Sequence, residues 1–378
     1  MKIVHLTTVH QADDVRIYHK EALSLAQAGF EVAVAGPALP EGRELKLSHI
    51  VLPAFSNRFI RIVVGLFCAF MKIKKARPDV VHFHDPELLP VALLLKWMGI
   101  RIVYDAHEDY PLQFRVKTYV SPALARALSR GVGLVEEFCV PRFDLVVTVV
   151  ESIKERLRRV NTNTIVVRNF PKLEEFEMLL SSPPETGVKR YVVYAGGITR
   201  ARGALMMLEA SRFTKCPIVV AGKVKDPDLN SLFSNNSTNS NFIYVGYKNF
   251  QDLLRLYNES LCGLVILQPV PNYINSLPIK MFEYMAAGLP VVASDFPQWR
   301  EILEKHQCGI CVDPTNPRAI AEAINFYVDH PEIARQHGEN GRKAVLEKYN
   351  WESEALILIE AYKKLEAEIK NSRKKKIR

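Results

Sequence analysis

The sequence predicts an α/β protein of two domains, each built on a parallel sheet with helices on both faces. Three observations support this prediction. Short β-branched runs alternate with helical patterns along the whole chain, as parallel strands joined by crossover helices require. The runs are continuously apolar rather than alternating, which is typical of strands buried on both faces. Finally, 378 residues exceed what one ordinary core accommodates, so two domains are expected.

The first predicted domain spans residues 1–172. Its predicted strands comprise residues 2–7, 31–35, 80–84, 101–105 and 144–149. Helical patterns separate the strands, and the first of them runs from residue 16 to residue 28 and stops at Gly29, as helices often do. In such sheets ligands bind at the carboxyl ends of the strands, where the strand order reverses.

The second predicted domain spans residues 186–350, after a boundary within residues 169–190. That boundary carries SSPPETG, a Pro- and Gly-rich linker that ends any helix before it. Predicted strands comprise residues 191–195, 217–221, 242–245, 263–267, 290–294 and 309–312. The polar tract SNNSTNSN is predicted to be a surface loop. Two such domains facing each other would form a cleft.

The helical pattern from Trp351 to residue 369 lies beyond the last predicted strand. We expect residues 351–370 to pack back across the first domain and residues 371–378 to form a basic tail. This end of the chain, KNSRKKKIR, carries part of the net charge of +9 and is typical of a solvated, mobile terminus. Attraction to an anionic lipid surface is the alternative. No nucleic-acid-binding motif accompanies the charge, so nucleic acid is not an expected partner.

No segment predicts export or a membrane span. The start, MKIVHLTTVH, lacks the basic residues and cleavage site of a secretory signal. The longest apolar run, residues 62–71, falls well short of the ~18 residues that a spanning helix needs. Its surroundings, RFIRIVVGLFCAFMKIKK (58–75), are apolar with basic ends, so they form either a buried helix or a membrane-surface helix. The expected location is cytoplasmic, and peripheral on the inner face of the plasma membrane in the second case.

The six cysteines are scattered and lie mostly within apolar runs, which suits core residues in a reducing compartment. Cys308 and Cys311 form CGIC, which has the spacing of a metal or redox pair. A zinc site needs a second pair of ligands, and the sequence places none nearby. The core interpretation is therefore preferred.

A glycine-rich turn, YAGGITRARG, follows the first predicted strand of the second domain. Its paired glycines are expected to form a tight turn before a helix, and the amides of such a turn suit a pyrophosphate. Two arginines add cations at the same place. The alternative is an ordinary glycine turn with solvent-facing arginines. The residues concerned are Gly196, Gly197, Arg200, Arg202 and Gly203.

The stretch NSLPIKMFEYMAAG (275–288) predicts a short helix. Pro278 suits its first turn and Gly288 suits its end. Lys280 would lie near the positive start of the helix, where a cation is unfavourable unless an anion is bound. Glu283 lies about one turn further on, and its carboxylate could accept hydrogen bonds from two adjacent hydroxyls, as a ribose offers. The alternative is a solvated Lys and Glu on an amphipathic helix.

Histidines and carboxylates follow three predicted strands of the first domain. They lie in HLTTVHQADDVRIY, VHFHDPELLP and VYDAHEDYP. Their spacing matches no standard zinc pattern, so a polar cleft lining with one important histidine is preferred to a metal site. The candidate residues are His10, Asp14, Arg16, His82, His84, Asp85, His107, Glu108 and Asp109.

The sequence resembles the large family four of retaining glycosyltransferases, which have the GT-B fold of two Rossmann-like domains. The block LPIKMFEYMAAGLPVVASDFPQWREIL resembles the donor-site signature of that family. The three histidine-containing stretches resemble one bacterial, polysaccharide-type branch. VRNFP (167–171) resembles the approach to the interdomain linker, and the helix from Trp351 resembles the one that returns to the first domain. The resemblance implies a nucleotide-diphosphate sugar as co-substrate, with no metal and no further cofactor.

The resemblance also implies roles for individual residues. Glu283 matches a glutamate that binds the donor ribose, and Arg202 with Gly203 matches a Lys-Gly whose cation binds the diphosphate. His107 matches a histidine that lines the reacting face of the sugar. The loop after residue 245 should border the base, and backbone amides around residues 277–279 should contact the sugar or its phosphate. The further donor-binding residues are Gly246, Tyr247, Asn275, Ser276, Leu277, Pro278 and Ile279.

Two positions depart from the family pattern. Asn275 stands where the family has a glutamate that touches the sugar hydroxyls, so the identity of the sugar is open. Gly197 stands where an arginine usually accompanies the Lys-Gly. This second change leaves the charge of the diphosphate to Arg202, Lys280 and Arg200.

The expected reaction is the transfer of a sugar to an acceptor hydroxyl with retention of configuration. Catalytic roles are expected for His107, Arg202 and Lys280, while the acceptor would enter from the first domain. No side chain is an obvious covalent nucleophile, so attack on the face that the nucleotide leaves is preferred. The expected acceptor is a lipid-linked glycan in cell-surface polysaccharide synthesis. Two alternatives stay open, a UDP-sugar 2-epimerase of the same fold and a catalytically silent subunit that binds a sugar nucleotide.

Overall fold

The structure, a computed structural model, describes residues 1–55, 57–115, 121–177, 179, 190–234 and 241–377. The chain forms two compact units. The first comprises Met1–Asn169 and Ser353–Arg378, and the second comprises Phe170–Glu352. The predicted linker SSPPETG lies outside the described residues, and so do residues 235–240 of the predicted polar loop.

The first unit contains a seven-stranded parallel sheet within the described ranges. Its strands are β1 (Lys2–Leu6), β2 (Glu31–Pro37), β3 (Ser48–Leu52), β4 (Val80–Phe83), β5 (Arg101–Ala106), β6 (Leu145–Thr148) and β7 (Thr164–Val166). Their order is β3-β2-β1-β4-β5-β6-β7. The five predicted strands are confirmed, whereas the sequence does not predict β3 and β7. Both are edge strands with partly exposed residues, so they lack the continuous apolar run of a central strand.

Helices connect these strands. They comprise Val15–Ala22, Leu23–Gln27, Arg58–Ile60, Arg61–Gly65, Leu66–Ala76, Pro86–Leu88, Leu89–Trp97, Tyr110–Arg115, Pro122–Cys139, Val140–Arg142 and Glu151–Arg158. The predicted helix of residues 16–28 is confirmed, but its first part, Val15–Ala22, is a π-helix. Residues five apart lie on the same face of a π-helix, and this geometry buries both Arg16 and Glu21.

The apolar segment of residues 58–75 is helical and has two faces. Ala69 and Ile73 are fully buried, but the opposite face is exposed. That face carries a stripe of side chains four residues apart, namely Phe59 (74% exposed), Val63 (54%), Phe67 (63%) and Met71 (46%). The predicted buried helix is therefore confirmed for one face of the segment only. Among the residues that the structure describes, no helix is long and apolar enough to cross a membrane.

The second unit contains a six-stranded parallel sheet within its described part. Its strands are β8 (Tyr191–Ala195), β9 (Ile218–Ala221), β10 (Phe242–Tyr244), β11 (Ser260–Val265), β12 (Val291–Ser294) and β13 (Gly309–Val312). Their order is β10-β9-β8-β11-β12-β13. All six predicted strands are confirmed, although β11 begins at Ser260 rather than Gly263.

Helices also connect the strands of the second unit, and apolar clusters cover its sheet. The helices comprise Leu173–Glu175, Arg200–Arg202, Ala204–Ala210, Pro227–Leu229, Asn230–Ser234, Phe250–Glu259, Pro271–Ile274, Ile279–Ala286, Pro297–His306, Pro317–Asp329 and Pro331–Glu347. The chain thus repeats one architecture twice, as the sequence predicts.

The last helix, Trp351–Ile377, begins in the second unit and belongs to the first unit from Ser353 onward. The prediction that it packs on the first domain is confirmed. The predicted end near residue 369 is wrong, because the helix continues through the basic tail as far as Ile377, and Arg373 pairs there with Asp79. Arg378 lies outside the described residues.

Candidate functional site

The strand order of the second sheet reverses between β8 and β11, and the glycine-rich turn lies at this point. The turn follows β8 directly, as predicted. Gly203 has φ +77°, and a Cβ there would lie 2.0 Å from the carbonyl oxygen of Ile266, just after β11. Gly222 has φ +151°, and a Cβ there would lie 1.8 Å from the carbonyl oxygen of Gly196. Two contacts that only glycine permits therefore hold the turn in place.

Arg202 lies against this turn and is partly buried. Burial alone would lower the pKa of its guanidinium, but the hydroxyl groups of Tyr194 and Tyr273 interact with it and raise the pKa overall. The Tyr194 hydroxyl also donates a hydrogen bond to the carbonyl oxygen of Gly197 (2.8 Å). Arg202 is thus a permanently charged group in a fixed position beside the paired glycines.

A second cation, Lys225, lies over the same turn. A Cβ on Gly197 would lie 3.0 Å from Lys225 Cε and 3.6 Å from Arg202 Nη1. Lys225 is exposed, and no carboxylate in the described part of the chain pairs with it. Arg200, which the sequence also places here, instead donates from Nε to Asp228 Oδ2 (2.8 Å). Two cations therefore approach Gly197, and they are Arg202 and Lys225.

The helix Ile279–Ala286 is the short helix that the stretch 275–288 predicts. Pro278 is its N-cap rather than its first residue, and no side chain caps this end. The first amides of the helix have no intrahelical acceptor, so they can bind an anion. Pro278 itself has no N–H to offer. Gly288 follows the helix with φ +73°, the left-handed conformation predicted by a glycine at this position.

Lys280 and Glu283 form a partly buried pair on this helix. Lys280 Nζ lies 2.6 Å from Glu283 Oε2, and the Tyr257 hydroxyl donates to the same oxygen (3.3 Å). Tyr257 is fully buried, and burial together with the Glu283 charge raises the pKa of its phenol. Both contacts use Oε2, which leaves Oε1 to accept a further hydrogen bond. The cation at the start of the helix is therefore balanced by Glu283 in this structure.

Two hydrogen bonds hold the segment that precedes the helix Ile279–Ala286. The fully buried Trp299 donates from its indole nitrogen to the carbonyl oxygen of Ser276 (2.6 Å), and the Ser276 hydroxyl donates to the carbonyl oxygen of Tyr273 (2.9 Å). Asn275 is exposed, while Leu277 and Ile279 are partly buried. The segment therefore has a fixed backbone beside Arg202, whose partner Tyr273 belongs to it.

The loop after β10 is more open. Gly246 has φ +72°, and its carbonyl oxygen accepts a hydrogen bond from the amide of Gly222 (2.8 Å). Tyr247 is 67% exposed, with Lys223 Nζ 4.9 Å from its ring centre. An exposed aromatic ring at this edge of the sheet can stack on a planar base.

In the first unit the strand order reverses between β1 and β4, and Asp85 joins the loops that follow them. Its Oδ2 accepts hydrogen bonds from the Thr8 amide (2.6 Å), the Val9 amide (3.2 Å) and the Thr7 hydroxyl (2.9 Å). Asp85 is only 1% exposed, so it shapes the loop instead of offering an atom to an acceptor. His10, within that loop, has Nε2 3.5 Å from Asp85 Oδ1 and is partly exposed.

Arg16 is also buried, and each of its three side-chain nitrogens has a partner. Its Nε and Nη2 donate to the two oxygens of Asp105 (2.8 and 2.9 Å), and its Nη1 donates to the carbonyl oxygen of Val167 (3.1 Å). Burial alone would raise the pKa of Asp105, but Arg16 and neighbouring histidines hold it well below its usual range. Asp14 acts as N-cap of the π-helix, accepting from the amides of Arg16 and Ile17. Arg16 and Asp14, both predicted as acceptor-side residues, therefore stabilise the surrounding structure.

His107 follows β5 and retains 13% exposure of its side chain. Its Nδ1 lies 3.5 Å from Asp105 Oδ2. Burial lowers the pKa of His107, but the negative Asp105 outweighs it and raises the pKa above the ordinary value. The ring of His10 lies edge-on to that of His107, with 5.2 Å between centroids. The structure thus brings together two histidines from separate stretches, and Glu108 is exposed beside them.

Behind these residues lies a layer of fully buried histidines, His5, His82 and His84. Their ring centroids are 4.6 to 5.3 Å apart. Burial lowers the pKa of all three imidazoles. His82 and His84 were predicted to be cleft-lining candidates, but their burial excludes direct contact with an acceptor in this structure. His5 was not a candidate.

The cysteines are free thiols in the described structure. Cys308 is buried and Cys311 is partly buried, and burial raises the pKa of each thiol to about 12. Such thiols are protonated and unreactive at neutral pH. This agrees with the preferred interpretation of CGIC as core residues.

Several residues of the candidate site in the second unit were not predicted from sequence. They are Tyr194, Gly222, Lys225, Tyr257, Tyr273 and Trp299. Gly222 carried a usable signal, because it follows β9 as Gly196 follows β8. The aromatic residues carried none, since a tyrosine next to a core strand is usually a packing residue. Their roles depend on contacts between segments far apart in the chain.

Two family models match the two halves of the chain. The family model described as Glycosyl transferases group 1 matches residues 181–344. The model described as Glycosyltransferase Family 4 matches residues 15–174. Together the two matches cover both units.

Individual proteins agree with these matches. An uncharacterised glycosyltransferase of Methanocaldococcus jannaschii is 26% identical over 310 residues, which are 75% of each chain. The sucrose-phosphate synthase of Thermosynechococcus elongatus has a similar fold, with a TM-score of 0.75 at 19% identity over 97% of this chain and 99% of that one. Anabaena HepE in complex with UDP-glucose gives a TM-score of 0.72 at 12% identity over 96% and 100%.

Proposed function

We propose that this chain, whose two halves match the models Glycosyl transferases group 1 and Glycosyltransferase Family 4, transfers a sugar from a nucleotide-diphosphate sugar to an acceptor hydroxyl with retention of configuration. The observation that carries the proposal is the approach of Arg202 and Lys225 to the Gly196–Gly197 turn. This turn lies at the switch point of a parallel sheet, where such sheets bind ligands. The UDP-glucose bound to the similar Anabaena protein is a ligand of the same chemical class.

The diphosphate of the donor binds at the paired glycines. Arg202 and Lys225 supply positive charge there, and the uncapped amides at the start of the helix Ile279–Ala286 add hydrogen-bond donors. Charge-assisted hydrogen bonds of this kind are about twice as strong as neutral ones. Lys280 contributes less free charge than the sequence suggests, because Glu283 already pairs with it.

Glu283 binds the ribose of the donor. Its Oε1 accepts from a ribose hydroxyl, while Lys280 and Tyr257 hold Oε2 and so fix the carboxylate. Tyr247 stacks on the base from the loop after β10, since its ring is the exposed aromatic group there. The sugar lies beside Asn275 and the backbone of Ser276 and Leu277, which hold no charge.

The bond between the anomeric carbon and the phosphate oxygen breaks while the acceptor oxygen bonds to the same face of that carbon. The acceptor proton passes to the departing diphosphate. Arg202 and Lys225 stabilise the negative charge that develops on that diphosphate, which is the role that electrostatic catalysis requires. The proposal needs neither a catalytic metal nor a further cofactor. A role for His107 at the reacting face of the sugar is proposed from the family resemblance alone.

The acceptor is proposed to be a lipid-linked glycan of cell-surface polysaccharide synthesis. The exposed stripe of Phe59, Val63, Phe67 and Met71 supports a membrane-surface acceptor, because apolar side chains on one helix face can enter the lipid interface. Exposed Lys72, Lys74 and Lys75 lie next to the stripe and would attract anionic headgroups. The protein would then bind peripherally to the inner face of the plasma membrane.

The epimerase alternative is not favoured, because the matched families and relatives are glycosyltransferases. A silent binding subunit stays the competing proposal, since Asn275 and Gly197 depart from the family pattern. It differs in one measurable respect: such a protein would bind the donor without turning it over.

The test has two stages. A thermal-shift screen of UDP-, GDP- and ADP-sugars first identifies the donor, because a ligand at 100 times its Kd stabilises the folded state by about 2.7 kcal/mol. Turnover with that donor is then measured for Arg202→Ala and Glu283→Ala. We expect kcat/KM to fall about 10²- to 10³-fold for Arg202→Ala, and the donor KM to rise about tenfold or more for Glu283→Ala.

The control is Arg212→Ala, which removes an exposed arginine elsewhere in the same unit and should leave both constants unchanged. Wild-type turnover in both site variants would refute the site. A donor-induced thermal shift without turnover, in the presence of a lipid-linked acceptor, would instead support the silent subunit.

A further inference from the structure

Three histidines and a glutamate of the first unit meet in a fully buried cluster that the proposed transfer reaction does not use. His5 lies on β1 and His82 on the neighbouring β4, where the two residues are partners in register. His84 lies two residues beyond His82 and therefore on the same face of the sheet. Glu21 reaches this face from the π-helix. All four side chains have 0% exposure.

The side-chain atoms are close enough to share one ion. One nitrogen from each histidine and one oxygen of Glu21 all lie within 4.8 Å of one another. His5 Nδ1 is 3.1 Å from His84 Nε2, and Glu21 Oε2 is 4.0 Å from His5 Nδ1 and 3.8 Å from His82 Nδ1. Zn–N and Zn–O bonds of about 2.0–2.1 Å in a tetrahedron place ligand atoms about 3.3 Å apart. The observed distances are near that value.

The cluster also concentrates unsatisfied polar atoms. Of the buried side-chain atoms without a hydrogen-bond partner in the described structure, four belong to it: His5 Nε2, His82 Nε2 and both oxygens of Glu21. Buried polar groups are nearly always satisfied, and a buried carboxylate is costly without compensation. Arg16 Nη2 lies 3.0 Å from Glu21 Oε1, but the same guanidinium already holds Asp105 with two hydrogen bonds. Of these four atoms, Glu21 Oε2 is the one that faces both His5 and His82.

The surrounding contacts are those of a metal site. His84 Nδ1 lies 3.0 Å from Asp105 Oδ2, which selects the tautomer whose Nε2 lone pair faces the cluster. The Tyr362 hydroxyl lies 3.0 Å from His82 Nδ1. The carboxylate behind His84 would orient that ring for an ion, whereas the Tyr362 hydroxyl contacts the same His82 nitrogen that faces Glu21 and would have to give way to the ion.

We propose that His5, Glu21, His82 and His84 bind a divalent transition-metal ion, zinc by the nature of its ligands. Three imidazoles and one carboxylate suit zinc, whereas calcium and magnesium prefer oxygen ligands. Four protein ligands close the coordination shell, so the ion is structural. The spacing argument that disfavoured a metal in the sequence does not apply, because the ligands come from β1, β4 and the π-helix rather than from one linear motif.

Such an ion would fix the first unit around its switch point. Through His84 it would hold Asp105, and Asp105 in turn contacts Arg16 and His107. The metal would therefore position His107 without touching any substrate. This inference does not depend on the proposed sugar transfer.

The direct test is the metal content of the untagged full chain, purified without chelators from zinc-supplemented medium. Elemental analysis should find about one zinc per chain, the stoichiometry of a single closed site. Removal of zinc with dipicolinate should lower the Tm, and zinc but not magnesium should restore it. Cobalt in place of zinc should give the visible absorption of a tetrahedral site. Less than about 0.1 equivalent of metal, with a Tm that neither zinc nor cobalt moves, would overturn the proposal in favour of a hydrogen-bonded network alone.

Two variants locate the ion. Glu21→Gln and His82→Asn should each lose the bound zinc, whereas the control His19→Asn removes an exposed histidine on the same helix as Glu21 and should retain it. Zinc at wild-type stoichiometry in both ligand variants would place the metal elsewhere and refute the assignment. Should either variant fail to fold, the metal content and cobalt spectrum of the wild-type chain still decide.

Discussion

At the scale of single residues, the structure suggests why a glycine stands at position 197 in the proposed donor site. The family places an arginine at this position, and its loss from the sequence suggests a weaker diphosphate site. In the structure the side chain of Lys225 crosses the space that a Gly197 side chain would need, with Cε 3.0 Å from the position of its Cβ. The glycine therefore makes room for a cation that arrives from the loop after β9. In the proposed donor site, Lys225 would thus supply the charge that the family has at position 197.

Replacement of Lys225 by alanine should consequently weaken donor binding. We expect the donor KM to rise about tenfold, because hydrogen bonds to charged groups contribute about 1.5–3 kcal/mol. The fold should not change, since Lys225 is exposed. Steady-state kinetics and donor thermal shifts measure the effect. Lys305→Ala, an exposed lysine of the same unit, serves as control, and equal KM values for the two variants would contradict the assignment.

Gly203 gives a second prediction at this scale. In Gly203→Ala the new methyl group would lie 2.0 Å from the Ile266 carbonyl oxygen, in addition to the strain of φ +77°. Gly288→Ala carries nearly the same strain, at φ +73°, but meets nothing within 4 Å. We expect about 1–2 kcal/mol of destabilisation for Gly288→Ala and a further ~1–3 kcal/mol for Gly203→Ala. Thermal unfolding measures both, and equal Tm values would show that the contact with Ile266 is unimportant.

At the scale of elements, the sequence predicts every strand of the second sheet and the central strands of the first, but it misses β3 and β7 at the two edges of the first sheet. The central strands have uninterrupted apolar runs because helices cover them on both faces, whereas β3 and β7 lie at the edges and show mixed burial. The π-helical start of Val15–Ala22 is likewise invisible to a periodicity of 3.6 residues. Its consequence is the burial of Arg16, a residue that the sequence suggests is accessible.

The residues of the candidate site likewise divide into those that the sequence indicates and those that it does not. Residues in one local motif, such as Gly203, Lys280 and Glu283, could be found from sequence because their spacing carries the signal. Lys225 and Tyr257 could not, since each reaches the site from a separate segment. Physical proximity created by the fold is the information that a linear pattern lacks.

The helical segment of residues 58–75 gives a prediction at the scale of an element. The double variant Phe59→Ser with Phe67→Ser should reduce sedimentation with anionic vesicles about tenfold or more, since each buried CH₂ contributes about 0.8 kcal/mol to membrane binding. Folding should be retained, because both rings are more than half exposed. Leu356→Ser is the matched control, as Leu356 is 67% exposed on the last helix. If the wild-type chain does not sediment with the vesicles, the membrane proposal fails.

At the scale of the whole molecule, the chain builds two sheets of one topology and then returns to the first. The two orders, β3-β2-β1-β4-β5-β6-β7 and β10-β9-β8-β11-β12-β13, each reverse beside the first strand of their unit. The glycine-rich turn after β8 and the loops joined by Asp85 after β1 and β4 lie at these reversals, whereas Gly246 and Tyr247 follow the edge strand β10. The last helix then makes the first unit discontinuous in sequence, because Ser353–Arg378 belongs to it.

This discontinuity predicts how the chain responds to truncation. Leu358, Tyr362, Leu365 and Ile369 are at most 7% exposed and form one stripe of the last helix. Each such side chain contributes about 1.5–3 kcal/mol by burial, so their joint loss approaches the ~5–15 kcal/mol that stabilises a typical domain. A chain ending at Glu352 should therefore be insoluble or lack a cooperative transition of the first unit.

A chain ending at Lys370 is the control. It keeps all four side chains and loses only the basic end, including the pair of Arg373 with Asp79, so its Tm should fall by only a few degrees. Soluble yield and calorimetry distinguish the two chains, and a normal two-unit unfolding profile for the shorter one would show that the first unit is stable without its returning helix.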